Sequence, residues 1–539
     1  MFLPVRQNRR HRGGEHIHRR MFQSVRQNGT RRNAAAEDLC TVKNLRFCKD
    51  KSMNILVIDV GTTSMRGVLY AENGQLLGMK RMQNHVHFLE NGRAEEPVSD
   101  WDENLKGIFR HILKNFPSNS IDAIAITSQR SSVIPADRDG NALADTIMWQ
   151  DTRNAEICRE LAEKNSEVFA ITGSGINAVY SGSKMTWFRR NEPEKYKKVY
   201  KFLNIPEYII HLMTGGFESD VTYGSRTGLM NLAGKQWDDR LLALYEVRKD
   251  QLCTLNEAGA VVGRTSAEWE AVTGCPAGIP VVSAGGDQQC GAIGQGVAGP
   301  GSLSIVTGTG AYAIAACGDI PKNLKEDVVC NASSIPGSYQ LEVSSNTCAN
   351  AFDWAIRTFY GMDEIDYGLI EKELSSEQEP ASCLVVPYFK GTGAPDWNPD
   401  ATASFSGVTL ATRRSELLKA VLEGIFLEMA DKIENIAAYM DINRVYVSGG
   451  MTKSEVICQL LADICGRPLY IKKDAETTAF GAFLTAMVSL GKYGNMEEAQ
   501  KALNPMDEVK LFVPDERRHA VYREKMRRMK QTYEQLKEI

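Results

Sequence analysis

The sequence predicts a two-domain α/β protein, and three observations carry that expectation. The chain has 539 residues, too many for one ordinary hydrophobic core. From Met53 onward, apolar runs of strand length alternate with stretches of helical spacing. A strand, glycine-threonine turn, strand pattern also occurs twice, over residues 55–70 and 301–316. Repetition of such a unit points to two similar halves facing one nucleotide between them.

The first 52 residues stand apart from this pattern. They hold ten Arg and three Lys against Glu15, Glu37, Asp38 and Asp50, a net +9 within a chain of −4 overall. Residues 5–8 and 25–28 both read Val-Arg-Gln-Asn, without an apolar period. A segment so poor in buriable surface is expected to be a basic, disordered extension upstream of a functional start at Met53. An Arg-rich presequence and a nucleic-acid arm are the alternatives.

The composition of the whole chain narrows the function classes. A pI near 6.2 supplies no overall basic field for nucleic acid. Twelve cysteines lie scattered without a CxxC pair, as expected for free thiols in the reducing cytoplasm rather than for a zinc site or a disulfide framework. The apolar runs are broken by Thr and Gly and fall short of the ~20 residues that cross a membrane, so none is expected to do so.

Four glycine-marked strand ends then carry the chemistry. Residues 55–58 read as a buried strand that runs into a turn over 59–66. Backbone N–H groups and hydroxyls of Thr62, Thr63 and Ser64 there suit a phosphate, with Asp59 placed for Mg²⁺ and Arg66 for anionic oxygens. This is not a Walker loop, since GxxxxGK[ST] is absent. The strand over 279–284 empties into Gly285-Gly286-Asp287-Gln288, where a carboxylate at a rim makes Asp287 the candidate general base. Glycine-rich residues 294–301 read as the hinge. The second turn, Gly308-Thr309-Gly310, repeats the phosphate pattern, and the strand over 445–448 ends at Gly449-Gly450, where a nucleotide can lie against bare backbone. The expected organisation is an N-terminal domain over 53–296, a C-terminal domain over 297–495 and a helical tail over 496–539. In that tail Tyr522, Met526, Met529, Tyr533 and Leu536 share one helical face, read as docking onto the chain's own body, with a homodimer seam as the alternative.

Taken together, these motifs resemble the FGGY carbohydrate kinases over residues 54–490. Residues 183–191 look like the core of that family's first signature, and 403–408 followed by 416–423 look like its second. The resemblance implies an actin-like, ribonuclease-H-like fold of two domains with the active site in the cleft between them. It also implies ATP- and Mg²⁺-dependent phosphorylation of a small sugar or polyol hydroxyl, with Asp287 taking the proton. Thr63, Arg66 and Thr309 would then hold the β- and γ-phosphates. The acceptor pocket would include Gln129, Arg130, Trp149, Asp151, Gln288 and Tyr312. Arg130, Gln288 and Tyr312 look like glycerol kinase positions. The glutamate that glycerol kinases carry after the arginine is Ser131 here, however, and the tyrosine five before the helix lysine is Val179. Two anchors for a three-carbon polyol are thus absent, which favours a C4 to C6 polyol or ketose, with glycerol kept open. The rival of another class is an actin-fold ATP-binding chaperone or sugar-sensing regulator that keeps the phosphate turns but performs no transfer.

Overall fold

Strand residues 54–60 alternate their side chains between two different cores. In the computed structural model, which describes residues 52–393, 398, 400–472, 476–504 and 509–537, Leu56, Ile58 and Val60 pack with Trp101, Ile108 and Phe109. Ile55 and Val57 pack on the other face with Cys290, Ile293, Ala479 and Phe483. A strand covered on both faces is necessarily apolar throughout, as this one is. Of the basic arm expected over 1–52, residues 1–51 and the expected disorder lie outside the described residues.

Two mixed sheets follow one plan. In the first, the strands Asn54–Val60, Ser64–Ala71 and Leu76–Gln83 form an antiparallel meander, and Ala123–Ser128 and Pro280–Gly286 then add in parallel on its other side. In the second, Ser302–Thr307 pairs antiparallel with Ala311–Cys317, which pairs with Tyr339–Ser345, while Arg444–Gly449 and Leu469–Lys472 add in parallel. Each sheet ends in an antiparallel strand on the parallel side, Val261–Arg264 and Val509–Phe512 respectively. The doubling expected from the two glycine-threonine turns is therefore a doubling of sheet topology.

Two local expectations are corrected. The turn over 59–66 is shorter than expected: Asp59 and Arg66 face each other as a cross-strand pair, and only residues 61–63 form the turn. The Asp59–Arg66 ion pair sits inside the ladder, one pair before its end at Val60 and Met65. Gly294 is not part of a loop either, since it lies inside the helix Asp287–Gln295.

That helix crosses the helix Thr477–Ser489 at backbone contact. A Cβ on Gly294 would sit 1.8 Å from the Thr477 carbonyl oxygen, and one on Gly481 would sit 1.8 Å from the Cys290 carbonyl oxygen. The crossing is clamped by Asn504, whose Nδ2 donates to the Gly294 carbonyl at 3.2 Å. The tail helix Glu516–Leu536 docks on the body through a buried carboxylate: Tyr522 Oη and Lys525 Nζ donate to Glu423 at 2.9 and 2.5 Å. Its Tyr522, Met529 and Tyr533 are buried there, so a homodimer would need another surface. The ten described cysteines carry free thiols, and among the described residues no helix is long and apolar enough to cross a membrane.

Gly481→Ala forces the two helices apart. It should lower stability by about 3 kcal/mol, the upper end of overpacking costs, and reduce turnover because the displaced helix begins at Asp287. Thermal melting and a turnover assay on the purified variant check both.

Candidate active site

Parallel strands deliver their carboxyl ends to one level. Val60 pairs with Ser128 and Ser128 with Gly286, so the segments that leave the sheet there are Gly61-Thr62-Thr63, Gln129-Arg130 and Asp287-Gln288. In the second sheet Thr307 pairs with Gly449, bringing Gly308-Thr309-Gly310 beside Gly449-Gly450. Carboxyl ends of parallel strands are where open α/β sheets bind ligands.

The first cluster centres on Asp59, whose side chain is 1% exposed. Its Oδ2 lies 2.5 Å from Arg66 Nη2, Arg66 also pairs with Glu476, and Oδ1 has no hydrogen-bond partner. Burial pushes the Asp59 carboxyl up to about 7; Arg66 opposes this, while Asp287 and Glu476 add to it. A buried carboxylate oxygen without a partner fits one coordination position of a divalent cation, while among the described residues no three acids, histidines or cysteines cluster closely enough to hold one by themselves. Mg²⁺ in such sites is held by one or two carboxylates, waters and phosphate. The adjoining turn is braced by Asn84, whose Nδ2 donates to the Gly61 carbonyl at 2.8 Å. Thr62 is half-buried and Thr63 exposed, while Ser64 begins the next strand. Thr62 Oγ1 donates to Gln129 at 3.4 Å and accepts from Trp149 Nε1 at 3.1 Å, which joins Gln129 and Trp149 to the turn.

Asp287 is the first residue of its helix rather than part of a loop, and its side chain is 24% exposed. Its Oδ1 accepts from the Gln288 N–H at 2.8 Å and lies 3.9 Å from Arg130 Nε, beyond hydrogen-bond reach. Burial raises its proton affinity against the opposing field of Arg130. The strand end before it is fixed from behind. Gly286 N–H donates to Thr222 Oγ1 at 3.0 Å, Tyr223 Oη donates to the Gly285 carbonyl at 2.9 Å, and Gly285 has φ 101. Gln288 Oε1 is buried without a partner, a group left for a ligand.

Charges from both halves meet at this point. Arg130 Nη1 donates to Glu342 of the second sheet at 3.2 Å, and Arg226 lies 3.7 Å from the same carboxylate. The Arg226 guanidinium also stacks on the Tyr180 ring at 4.7 Å. Tyr312 is half-buried and feels Glu342, Arg130, Arg226 and Asp287, although burial dominates its raised hydroxyl pKa. Ser131 sits buried at φ 75 with Oγ donating to the Arg226 carbonyl at 3.1 Å. Val179, the other departure from the glycerol kinase pattern, is half-buried, and its carbonyl accepts from Lys184 at 2.8 Å.

Asp151 behaves differently from the other acceptor-pocket candidates. It is 0% exposed, and its oxygens are taken by the Ala94 N–H and by Arg153 Nε and Nη2 at 2.7 to 2.9 Å. That saturation gives it a structural role, supporting the loop that carries Trp149. Tyr180, Arg226, Glu342 and Glu476 join the site without having been singled out in the sequence. Of these, only Tyr180 offered a local signal, as the aromatic beside Val179.

The second cluster is built for close backbone approach. Gly308 N–H donates to the Gly310 carbonyl at 2.9 Å, and Thr309 is exposed at the tip. Gly449 has φ 110, and a Cβ there would lie 2.1 Å from the Thr307 carbonyl oxygen. Beside Gly450 opens a largely apolar slot of about 350 Å³ lined by Phe352, Ile370, Met451 and Ile457 together with Asp353, Glu371 and Lys453, of a size for a flat heterocycle. Another cavity, of about 550 Å³ around Arg153 and Trp187, touches none of the clustered groups.

The chain is similar to known proteins over most of its length. The model of the N-terminal domain of the FGGY family of carbohydrate kinases matches residues 54–294, and that of its C-terminal domain matches 303–490. The chain is 32% identical over 469 residues to a glycerol kinase of Rhizobium meliloti, covering 83% of this chain and 92% of the relative. It is 29% identical over 511 residues to a glycerol kinase of Mycoplasmoides gallisepticum, covering 91% and 99%. Among solved structures, a gluconate kinase from Lactobacillus acidophilus superposes with a TM-score of 0.84 at 24% identity, covering 90% of this chain and 98% of that one.

The raised Asp59 pKa has a stability consequence. Between about pH 4 and 7 the folded protein keeps a proton that the unfolded chain has shed, so stability falls as pH rises through that window. In the ligand-free protein, the melting temperature of Asp59→Asn relative to wild type should therefore climb from pH 4 to pH 8. A difference that is flat with pH would show that Asp59 does not titrate there.

Proposed function

Because the chain belongs to the FGGY family of carbohydrate kinases, we propose that it transfers the γ-phosphoryl of ATP to a hydroxyl of a small polyol or ketose, with Asp287 as general base. That it is a kinase of an alcohol acceptor follows from the family, which removes the chaperone and regulator reading. The observation that carries the mechanism is Asp287 itself, a partly exposed acid of raised proton affinity that lies near Arg130 and is electrostatically felt by the buried Asp59.

The acceptor hydroxyl gives its proton to Asp287 Oδ2, since Oδ1 is engaged by the Gln288 N–H. Gln129, Arg130, Trp149, Gln288 and Tyr312 orient the acceptor, joined by Arg226. Asp59 would hold Mg²⁺ directly or through water, and such an ion would supply charge neutralisation for the phosphates. Thr62, Thr63, Ser64 and Arg66 from one half, with Gly308, Thr309 and Gly310 from the other, enclose the β- and γ-phosphates. Gly449 and Gly450 lie along the α-phosphate, and the apolar slot takes the base. Enclosure between two halves excludes water and so limits futile hydrolysis. The unbridged thiols suit a reducing cytoplasm.

For the acceptor, a C4 to C6 polyol or ketose is the preferred reading, because Ser131 and Val179 remove two polar anchors for a three-carbon polyol. Two guanidiniums face two carboxylates here, Glu342 and Asp287, which leaves no surplus charge for an acidic acceptor. Glycerol is the second reading, favoured by the curated relatives at about 30% identity.

Coupled ADP-release assays should find kcat/KM higher for a longer polyol or ketose than for glycerol. Preference for glycerol over every longer acceptor tested would replace this reading with the glycerol one. Asp287→Asn should lower kcat by about 10²-fold or more with nucleotide affinity kept, and a folded variant of undiminished kcat would eliminate the base.

A further inference from the structure

Three charged side chains from distant parts of the chain are stacked behind Asp287. Glu342, 5% exposed on the strand Tyr339–Ser345, accepts from Arg130 Nη1 and from Asn331 Nδ2, both at 3.2 Å on Oε2, and its Oε1 lies 3.7 Å from Arg226 Nη1. The Arg130 stem passes over Gly286, where a Cβ would come within 2.7 Å of its Cδ. This brings the guanidinium to the residue immediately before Asp287. Its Nε nevertheless stays 3.9 Å from Asp287 Oδ1, short of the 2.7–2.9 Å of a charge-assisted hydrogen bond.

An arginine this close to a carboxylate in a buried site normally closes onto it, and a base locked in such a pair is a poor acceptor of a hydroxyl proton. What opposes closure is the competing carboxylate. Burial alone would raise the Glu342 carboxyl, but Arg130 and Arg226 hold it below its ordinary value, so it stays ionised and keeps its claim on Arg130. Asn331 fixes the oxygen that Arg130 uses.

We propose that Glu342 is a positioning residue that holds the Arg130 guanidinium off Asp287, leaving that carboxylate free for the acceptor hydroxyl. Glu342 touches no reacting atom and acts on Asp287 chiefly through Arg130, its own field at Asp287 being the smaller effect. The inference rests on Asp287 being the base, and it adds a cross-sheet residue, 212 positions from Arg130, to the control of that base.

A double-mutant cycle on kcat at saturating acceptor and ATP tests it, using wild type, Glu342→Gln, Arg130→Met and the double variant. Glu342→Gln should lower kcat by about tenfold or more, part of the about 10²-fold that a general base contributes. Once Arg130 is gone there is nothing to close on Asp287, so adding Glu342→Gln to Arg130→Met should cost less than about twofold. Glu342→Asp, which keeps the charge, should retain most of the wild-type kcat. Equal losses in both backgrounds, or no loss from Glu342→Gln in wild type, would overturn the proposal. If Glu342→Gln does not fold, the same cycle run with Glu342→Asn, which likewise removes the charge, decides, since its loss must again shrink in the Arg130→Met background. Asp287→Asn separates the two ideas: if it keeps wild-type turnover the base assignment fails, whereas an inactive Asp287→Asn with an additive cycle sinks only the role of Glu342.

Discussion

The crossing of two glycine-bearing helices is the constraint on which the site depends. Gly294 and Gly481 let the helices Asp287–Gln295 and Thr477–Ser489 meet backbone to backbone, with no room for a single methyl group. One helix opens at Asp287, and the other opens just after Glu476, the partner of Arg66. The distance between the two helices thus sets how far Asp287 and Glu476 lie from Asp59 and Arg66. Both helices also pack on the apolar face made by Ile55 and Val57, on the strand that carries Asp59. Tight packing transmits displacement instead of absorbing it, so the carboxylates and the hairpin keep one geometry.

That geometry is electrostatically costly. Asp59, Asp287 and Asp220 are all pushed toward the neutral form, each chiefly by burial. A core built for stability alone would not hold three such acids near one strand end. The cost is offset in two ways. Asp220 is enclosed by Ser283 and Thr222 hydroxyls, which satisfy its oxygens and fix the strand before Asp287. Asp59 and Asp287 are each left with an arginine that only partly compensates them, Arg66 and Arg130. Incomplete compensation suits a site that awaits charge from outside. On the proposed reading a cation would relieve Asp59 and a hydroxyl proton would relieve Asp287, whereas Asp220 already has hydroxyl partners on its oxygens.

How far the sequence revealed this depends on whether each feature is local. Glycine turns, the strand before Asp287 and the helical tail are properties of short windows, and the family resemblance they supported matches both halves of the chain. The fold class followed from the same windows. Where the reading erred, a distant contact overrode a local cue. Asp59 and Arg66 looked like turn residues because polar residues end apolar runs, yet their mutual pairing extends both strands. Gly294 looked like a hinge because glycine-rich stretches usually are, yet the carbonyl of Thr477 explains why glycine is required inside a helix. Asp151 is expected in the acceptor pocket from the family resemblance, yet its oxygens are taken by Ala94 and Arg153. Glu342 carried no motif at all: a lone acid inside an apolar strand acquires meaning only once the other sheet brings Arg130 and Arg226 against it. Residues that act on the backbone of their own turn are legible in one dimension, and residues that act on a charge from the opposite half are not. The acceptor region is assembled from the second kind, with Arg130 and Arg226 from one sheet's segments and Glu342 and Tyr312 from the other sheet. That is the physical reason why the class of reaction could be read from motifs while the identity of the acceptor depends on the joint between the halves.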